Sequence, residues 1–166
     1  MALTSTVQVK ATVTETVAGD LQTTTAPLVL NAVVKMATGT ATGLADRLFT
    51  DTRTLAASGT ESLDLAGALT TPAGQTAVFV KLKAVIIRAA AGNTNDVQIT
   101  RPASNGVPLF LAAGDGLALG PGGVFAWVSP GAGVTVTAAT GDLLTVTNSA
   151  GSTGVTYDVV LIGTSA

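Results

Sequence analysis

The sequence predicts an all-β fold: an antiparallel β-sandwich or barrel, compatible with jelly-roll winding, that carries an N-terminal arm or hairpin. Three observations lead there. Valine or leucine alternates with threonine at period two in many short runs, glycine or proline punctuates nearly every gap between them, and no continuous strand-helix-strand pattern competes. About ten such runs at spacings near 8 to 12 residues are the signature of a sandwich or barrel.

The first run shows the logic. Val7, Val9, Ala11, Val13 and Val17 share one parity, and Gln8, Lys10, Thr12, Thr14 and Thr16 take the other, as a strand with one dry and one wet face requires. Only Glu15 breaks the dry face. Asp20 to Pro27 reads as a connection, and alternation resumes at Leu28, Leu30, Ala32, Val34 and Met36. Residues 37–43, rich in Ala, Thr and Gly, read as a flexible linker and divide the chain into N-terminal strands or arm over 1–43 and a β-sandwich body over 44–166. An ordinary loop fits the same residues.

From Leu44 the spacing to Leu48 suggests a short helical turn, followed by a strand after Phe49. Further strands are expected at Glu61–Leu65, Thr76–Ala89, Asp96–Thr100, Val107–Leu111, Val124–Ser129, Val134–Ala138, Leu143–Asn148 and Val155–Ile162. In the longest, Lys81 and Lys83 share an outward parity and are expected to solvate an edge against stray pairing. Arg88 has the other parity, so the pattern slips near Ala84, through a bulge or through burial of both faces around Val85, Ile86 and Ile87.

Composition limits function. A chain of 16.3 kDa folded as one unit exposes roughly 7,500 Å² of the roughly 24,000 Å² of its extended form. Hydrophobic residues make up 47% and charged residues 11%, against about 25% charged in ordinary domains, so much of the surface is neutral. A net charge of −2 puts little repulsion between neighbouring copies, which suits dense packing in a lattice. Eight Lys and Arg spread along the chain make no basic stripe for phosphates, so no nucleic-acid partner is expected. The first ten residues lack the pattern of a secretory signal, which predicts synthesis in the cytoplasm without classical export. The longest apolar stretch, Ala84–Ala91, is too short to cross a bilayer, so no membrane partner is expected either.

The chain has no histidine and no cysteine, so catalysis would have to rest on carboxylates, lysine, tyrosine or a bound metal. Glu61 and Asp64 stand three apart on a strand and point to opposite faces, so they cannot flank one bond. Gly92–Asp96 offers hard oxygen ligands in a turn, yet Asn and Asp close turns through their own backbone and the spacing is not that of a calcium loop. The run from Gly114 to Gly123 lacks the spacing and lysine of a phosphate loop and reads as a turn-rich connection. These patterns predict no enzyme, no cofactor and no metal. Trp127 shares a face with Phe125 and is expected in the core; as an exposed platform with Asp115 it would instead form a surface-binding edge.

The stretches Ala45–Gly67, Ala90–Asp96, Pro121–Val124 and Thr140–Leu144 together resemble small structural proteins of tailed bacteriophages and prophages, over roughly residues 44–163. The resemblance implies a virion component, above all a capsid decoration or cement protein that binds the assembled shell as a symmetric dimer or trimer, with the major capsid protein or other virion proteins as partners. The N-terminal segment is the candidate contact, with Val7, Val9 and Val13 as its apolar side and backbone addition to a neighbour's sheet edge as its mode. An internal strand of the same chain explains residues 5–17 equally. Two alternatives accompany it: a tail or fibre module whose Trp127 and Asp115 bind a surface glycan, and a neck or tail-completion protein.

Overall fold

A computed structural model describes residues 2–67, 69–71 and 73–166, and among them the fold is all-β, without a helix, in antiparallel sheets that do not close into a barrel. The chain opens as a ribbon. Strand β1 (Ser5–Ala18) pairs with β2 (Thr23–Thr38) in an unbroken register from Ser5↔Met36 to Ala18↔Thr23. The expected connection at Asp20–Pro27 shrinks to Gly19–Gln22, closed by Gly19 N–H donating to Gln22 O at 2.8 Å. Thr23–Ala26 continues the strand because β-branched threonines suit a pleated surface and each finds a partner on β1. At about 3.4 Å per residue the ribbon is about 45 Å long.

Pro27 fits this strand for a specific reason. The Gly19–Gln22 bond makes the odd-numbered residues of β1 the hydrogen-bonded ones, so Thr14↔Pro27 is a non-hydrogen-bonded pair. The nitrogen of Pro27 faces away from β1, and no ribbon hydrogen bond is lost.

The linker is short and anchored. Strand β3 (Leu44–Ala45) runs parallel to the end of β2, and β4 (Arg47–Leu55) follows at once, so the expected helical turn is absent. Period-two alternation of Thr50, Thr52 and Thr54 with Phe49, Arg53 and Leu55 outweighs the single Leu44/Leu48 spacing.

Two sheets make the body. In one, β12 (Val155–Thr164) lies between β4 and β6 (Lys81–Ala89), and the far edge of β6 pairs in turn with β10 (Val134–Thr135) and β9 (Val124–Val128). In the other the order is β5 (Thr60–Asp64), β11 (Leu143–Asn148), β7 (Val97–Thr100), β8 (Gly116–Leu119). Inward residues of both sheets, among them Phe49, Leu63, Ile87, Ile99, Leu144 and Leu161, form one buried apolar cluster.

Several expected boundaries move. Thr76–Val80 is not a ladder strand: Phe79 N–H donates to Leu65 O at 2.9 Å and Val80 N–H to Thr164 O at 2.7 Å, so the segment crosses from one sheet to the other. Val107–Leu111 holds no strand, because Pro108 has no N–H and Leu109 N–H turns back to Val107 O at 2.7 Å. Conversely, the supposed connection Gly114–Gly123 contains β8.

The slip near Ala84 is a bulge. On β12, Ile162 pairs with Ala84 and the next residue, Gly163, with Leu82, leaving Lys83 without a partner. A Cβ on Gly163 would lie 2.1 Å from Lys81 O, so the bulge requires glycine. Lys83 does not solvate an edge. β6 is an interior strand, the bulge re-aims the side chain, and the residue is 1% exposed with Nζ donating to Ala41 O in the linker at 2.8 Å.

Candidate assembly interface

The ribbon meets the body through a second apolar cluster. Val7 and Met36 are buried with Ala45, Ala84 and Ile162, against the outer face of the β4–β12–β6 sheet. Leu3 N–H donates to Thr38 Oγ1 at 2.6 Å, and that hydroxyl donates to Leu3 O at 2.7 Å, closing the root.

Beyond the root the same face is bare. The cross-strand pairs Val9↔Ala32, Ala11↔Leu30 and Val13↔Leu28 continue the stripe begun by Val7↔Val34, and Val13 is 55% and Leu28 64% exposed. Glu15 is its one acidic or basic residue. The opposite face carries Thr6, Lys10, Thr12, Thr14, Thr16 and Lys35, with Gln8 Nε2 donating to Asn31 Oδ1 at 2.8 Å, and Val29 and Val33 beside them. Leu21 at the tip is fully exposed. Eight of the twelve exposed large hydrophobic residues among the described residues lie on this ribbon, so the apolar surface is concentrated and not scattered. The expected contact residues therefore divide: Val7 packs on the chain's own body, while Val9 and Val13 face solvent.

The residues of the expected binding edge lie in different settings. Trp127 is half-buried against the main cluster on the same face as Phe125, whose ring stacks on Phe110 with centroids 6.1 Å apart. Asp115 stays in its own turn, where Oδ2 accepts from Ala112 N–H at 2.7 Å.

Polar clusters elsewhere are occupied by structural bonds. Glu61 accepts from Arg53 Nη1 at 2.6 Å and from the Tyr157 hydroxyl at 2.7 Å, so both carboxylate oxygens are taken. Burial, then the bond to Glu61, holds the Tyr157 phenol far above its ordinary pKa, which suits a proton donor and not a nucleophile. Asn93 bonds the Thr156 backbone at both ends of its amide, and Asn95 Nδ2 donates to Asn148 Oδ1 at 3.0 Å and Thr153 O at 2.9 Å. The candidate calcium turn thus uses these amides to fasten the loop before β12. On the outer sheet face, Thr52 and Arg88 hold the Asp158 carboxyl below its usual range.

A groove of about 410 Å³ opens beside Asp46, Arg47, Leu48 and Gln75. Asp46 is already engaged there, accepting from Ser165 N–H at 2.8 Å and Ser165 Oγ at 2.6 Å. No protein-family model, characterised protein or solved structure matches the chain at a significant level.

Sequence reasoning found the apolar parity of β1 and allowed a hairpin with the run from Leu28 to Met36, but it left arm and hairpin open and started the second strand too late. Leu28 and Leu30 carried the same signal; the reading of Asp20–Pro27 as a loop hid only the outer part of the ladder.

Proposed function

We propose that this chain is a structural protein of a bacteriophage virion, a capsid decoration or cement protein whose body is a β-sandwich and whose ribbon lays its apolar face on the assembled shell. The observation that carries the reading is the stripe from Val9 to Leu28, continuous with a buried root yet uncovered along the rest of the arm. A contiguous exposed apolar face of this kind marks an interaction surface, because covering it removes apolar area from water. A ligand selective for the assembled shell over its free subunits stabilises the shell by mass action. The major capsid protein or another virion protein is the partner, and the low surface charge suits a lattice. The glycan-binding alternative draws no support from Trp127, which is engaged with the core.

Immunogold electron microscopy with antibody against this chain tests the location: gold over heads is expected, and gold confined to tails or necks overturns it. Co-sedimentation with shells then tests the surface. A variant with Val9, Val13, Leu28 and Leu30 changed to Thr should stay in the supernatant, and its retention on shells at wild-type level would remove the ribbon from the contact.

A further inference from the structure

The edges of the ribbon differ from its faces and from each other. Even-numbered residues of β1, from Thr6 to Ala18, point their N–H and C=O groups away from β2, and the sheet order leaves β1 at the edge. This row contains no proline and no glycine. The outer edge of β2 is interrupted: Pro27 removes a donor at its middle, and β3 occupies its end. One edge is thus an open template and the other is blocked. An isolated two-stranded ribbon is marginal in water, and three or four strands are needed for a stable sheet.

We infer that the β1 edge is a self-pairing interface, in which two copies join β1 to β1 antiparallel about a two-fold axis through Thr12 to make a four-stranded sheet. Parity and hydrogen bonding restrict the register, and full use of the open row selects it. A two-fold axis perpendicular to the sheet keeps each face on its own side, so paired residues must have the same parity; hydrogen bonding demands that both be even-numbered where the bonds form. Centring on Thr12 meets both and uses the whole open row, pairing Thr6 with Ala18 of the second copy, Gln8 with Thr16, and Lys10 with Thr14.

Charge fits the same arrangement. Lys10 faces threonine, and Glu15 falls opposite Val9 on the other face, so no like charges are opposed. The fully exposed Leu21 at each tip reaches the level of Leu3 at the other copy's root, beside the second apolar cluster. About 44 Å of shared edge buries about 900 Å² in total with about fourteen backbone bonds, small in area but denser in hydrogen bonds than an average interface. The dimer stands whether or not the apolar face rests on a shell.

Sedimentation of the full chain across micromolar to submillimolar loading tests it. A reversible monomer–dimer equilibrium is expected, and a monomer throughout, or a trimer, overturns the inference. Thr12→Pro removes an outward N–H while sparing every β1–β2 bond, as Pro27 does across the ribbon, and should abolish the dimer; a surviving dimer places self-association elsewhere. Because the chain has no cysteine, Thr12→Cys supplies a single thiol at the axis and should give a covalent dimer on mild oxidation. Thr16→Cys, about 27 Å from its symmetry mate, should not, and equal cross-linking of the two variants overturns the register.

Discussion

The Tyr157 hydroxyl donates a 2.7 Å hydrogen bond to Glu61 Oε1, joining β12 to β5 across the two sheets, while Arg53 from β4 holds the other carboxylate oxygen. The Arg53 guanidinium also lies over the Phe49 ring, 5.6 Å from its centroid. One carboxylate therefore ties three strands, and each partner shields the charge that burial would otherwise penalise.

Tyr157→Phe keeps the ring in the core and removes only the donor. Leaving Glu61 Oε1 without that partner should lower stability by about 1–3 kcal/mol, read as a lower urea midpoint with an unchanged slope.

The same phenol fixes the alkaline behaviour. Its folded pKa lies above the unfolded value of 10.0, so the folded state holds a proton that the unfolded chain releases. Its contribution is complete below pH 10 and declines as pH rises beyond it, by at most about 1.4 kcal/mol per pH unit. Lys83 acts in the opposite sense: burial, then Lys81, depresses its pKa below 10.5, so its effect is a rise in stability with pH that ends by pH 10.5. Above that value the downward slope belongs to Tyr157. As the one tyrosine in the chain, it reports on itself: tyrosinate absorbance should appear together with unfolding, and the slope should vanish in Tyr157→Phe.

Gly163→Ala should be among the most damaging single changes. Its Cβ would meet Lys81 O at 2.1 Å and Phe79 Cδ1 at 2.7 Å, so the bulge that buries Lys83 cannot persist. A loss of about 3 kcal/mol or more is expected in thermal unfolding, with faster proteolysis of the linker around Ala41 as its anchor is released.

Threonine at Val9, Val13, Leu28 and Leu30 should leave the body's stability within about 0.5 kcal/mol of wild type, since all four side chains are exposed. Binding of a hydrophobic dye to the free protein should fall in the same variant. An unchanged dye signal would locate the accessible apolar surface elsewhere, at Leu111 or Val124 for example.

The period-two pattern made most of the strands legible, because alternation of buried and solvated residues is what a half-exposed sheet imposes on a sequence. Leu143–Asn148 coincides with its expected limits, and the bulge near Ala84 was visible as a break in parity. Errors arose where local chemistry suits two states. The threonines of 23–25 serve a loop or a strand, and pairing with β1 decides; Leu44 and Leu48 match a helical turn, and the sheet overrides it. The burial of Lys83 was not readable, since no sequence pattern shows that an extra residue will swing a lysine toward a carbonyl forty-two residues away. The apolar face of the ribbon was half legible: Val9 and Val13 announced an apolar side, but only the register shows that Leu28 and Leu30 share it.

Pro27 decides where growth stops. A long ribbon with two open edges is a seed for filaments, because each added copy would present a fresh edge to the next. With one edge interrupted by an imino acid that has no hydrogen to offer, addition can proceed in one direction and only once, and the product is a closed pair in place of a polymer. A chain so weakly charged has little electrostatic repulsion to keep its copies apart in a crowded cell. Replacing that single ring with alanine would restore the missing donor, and thioflavin-positive fibrils forming from Pro27→Ala but not from the native chain would identify residue 27 as the guard against runaway aggregation.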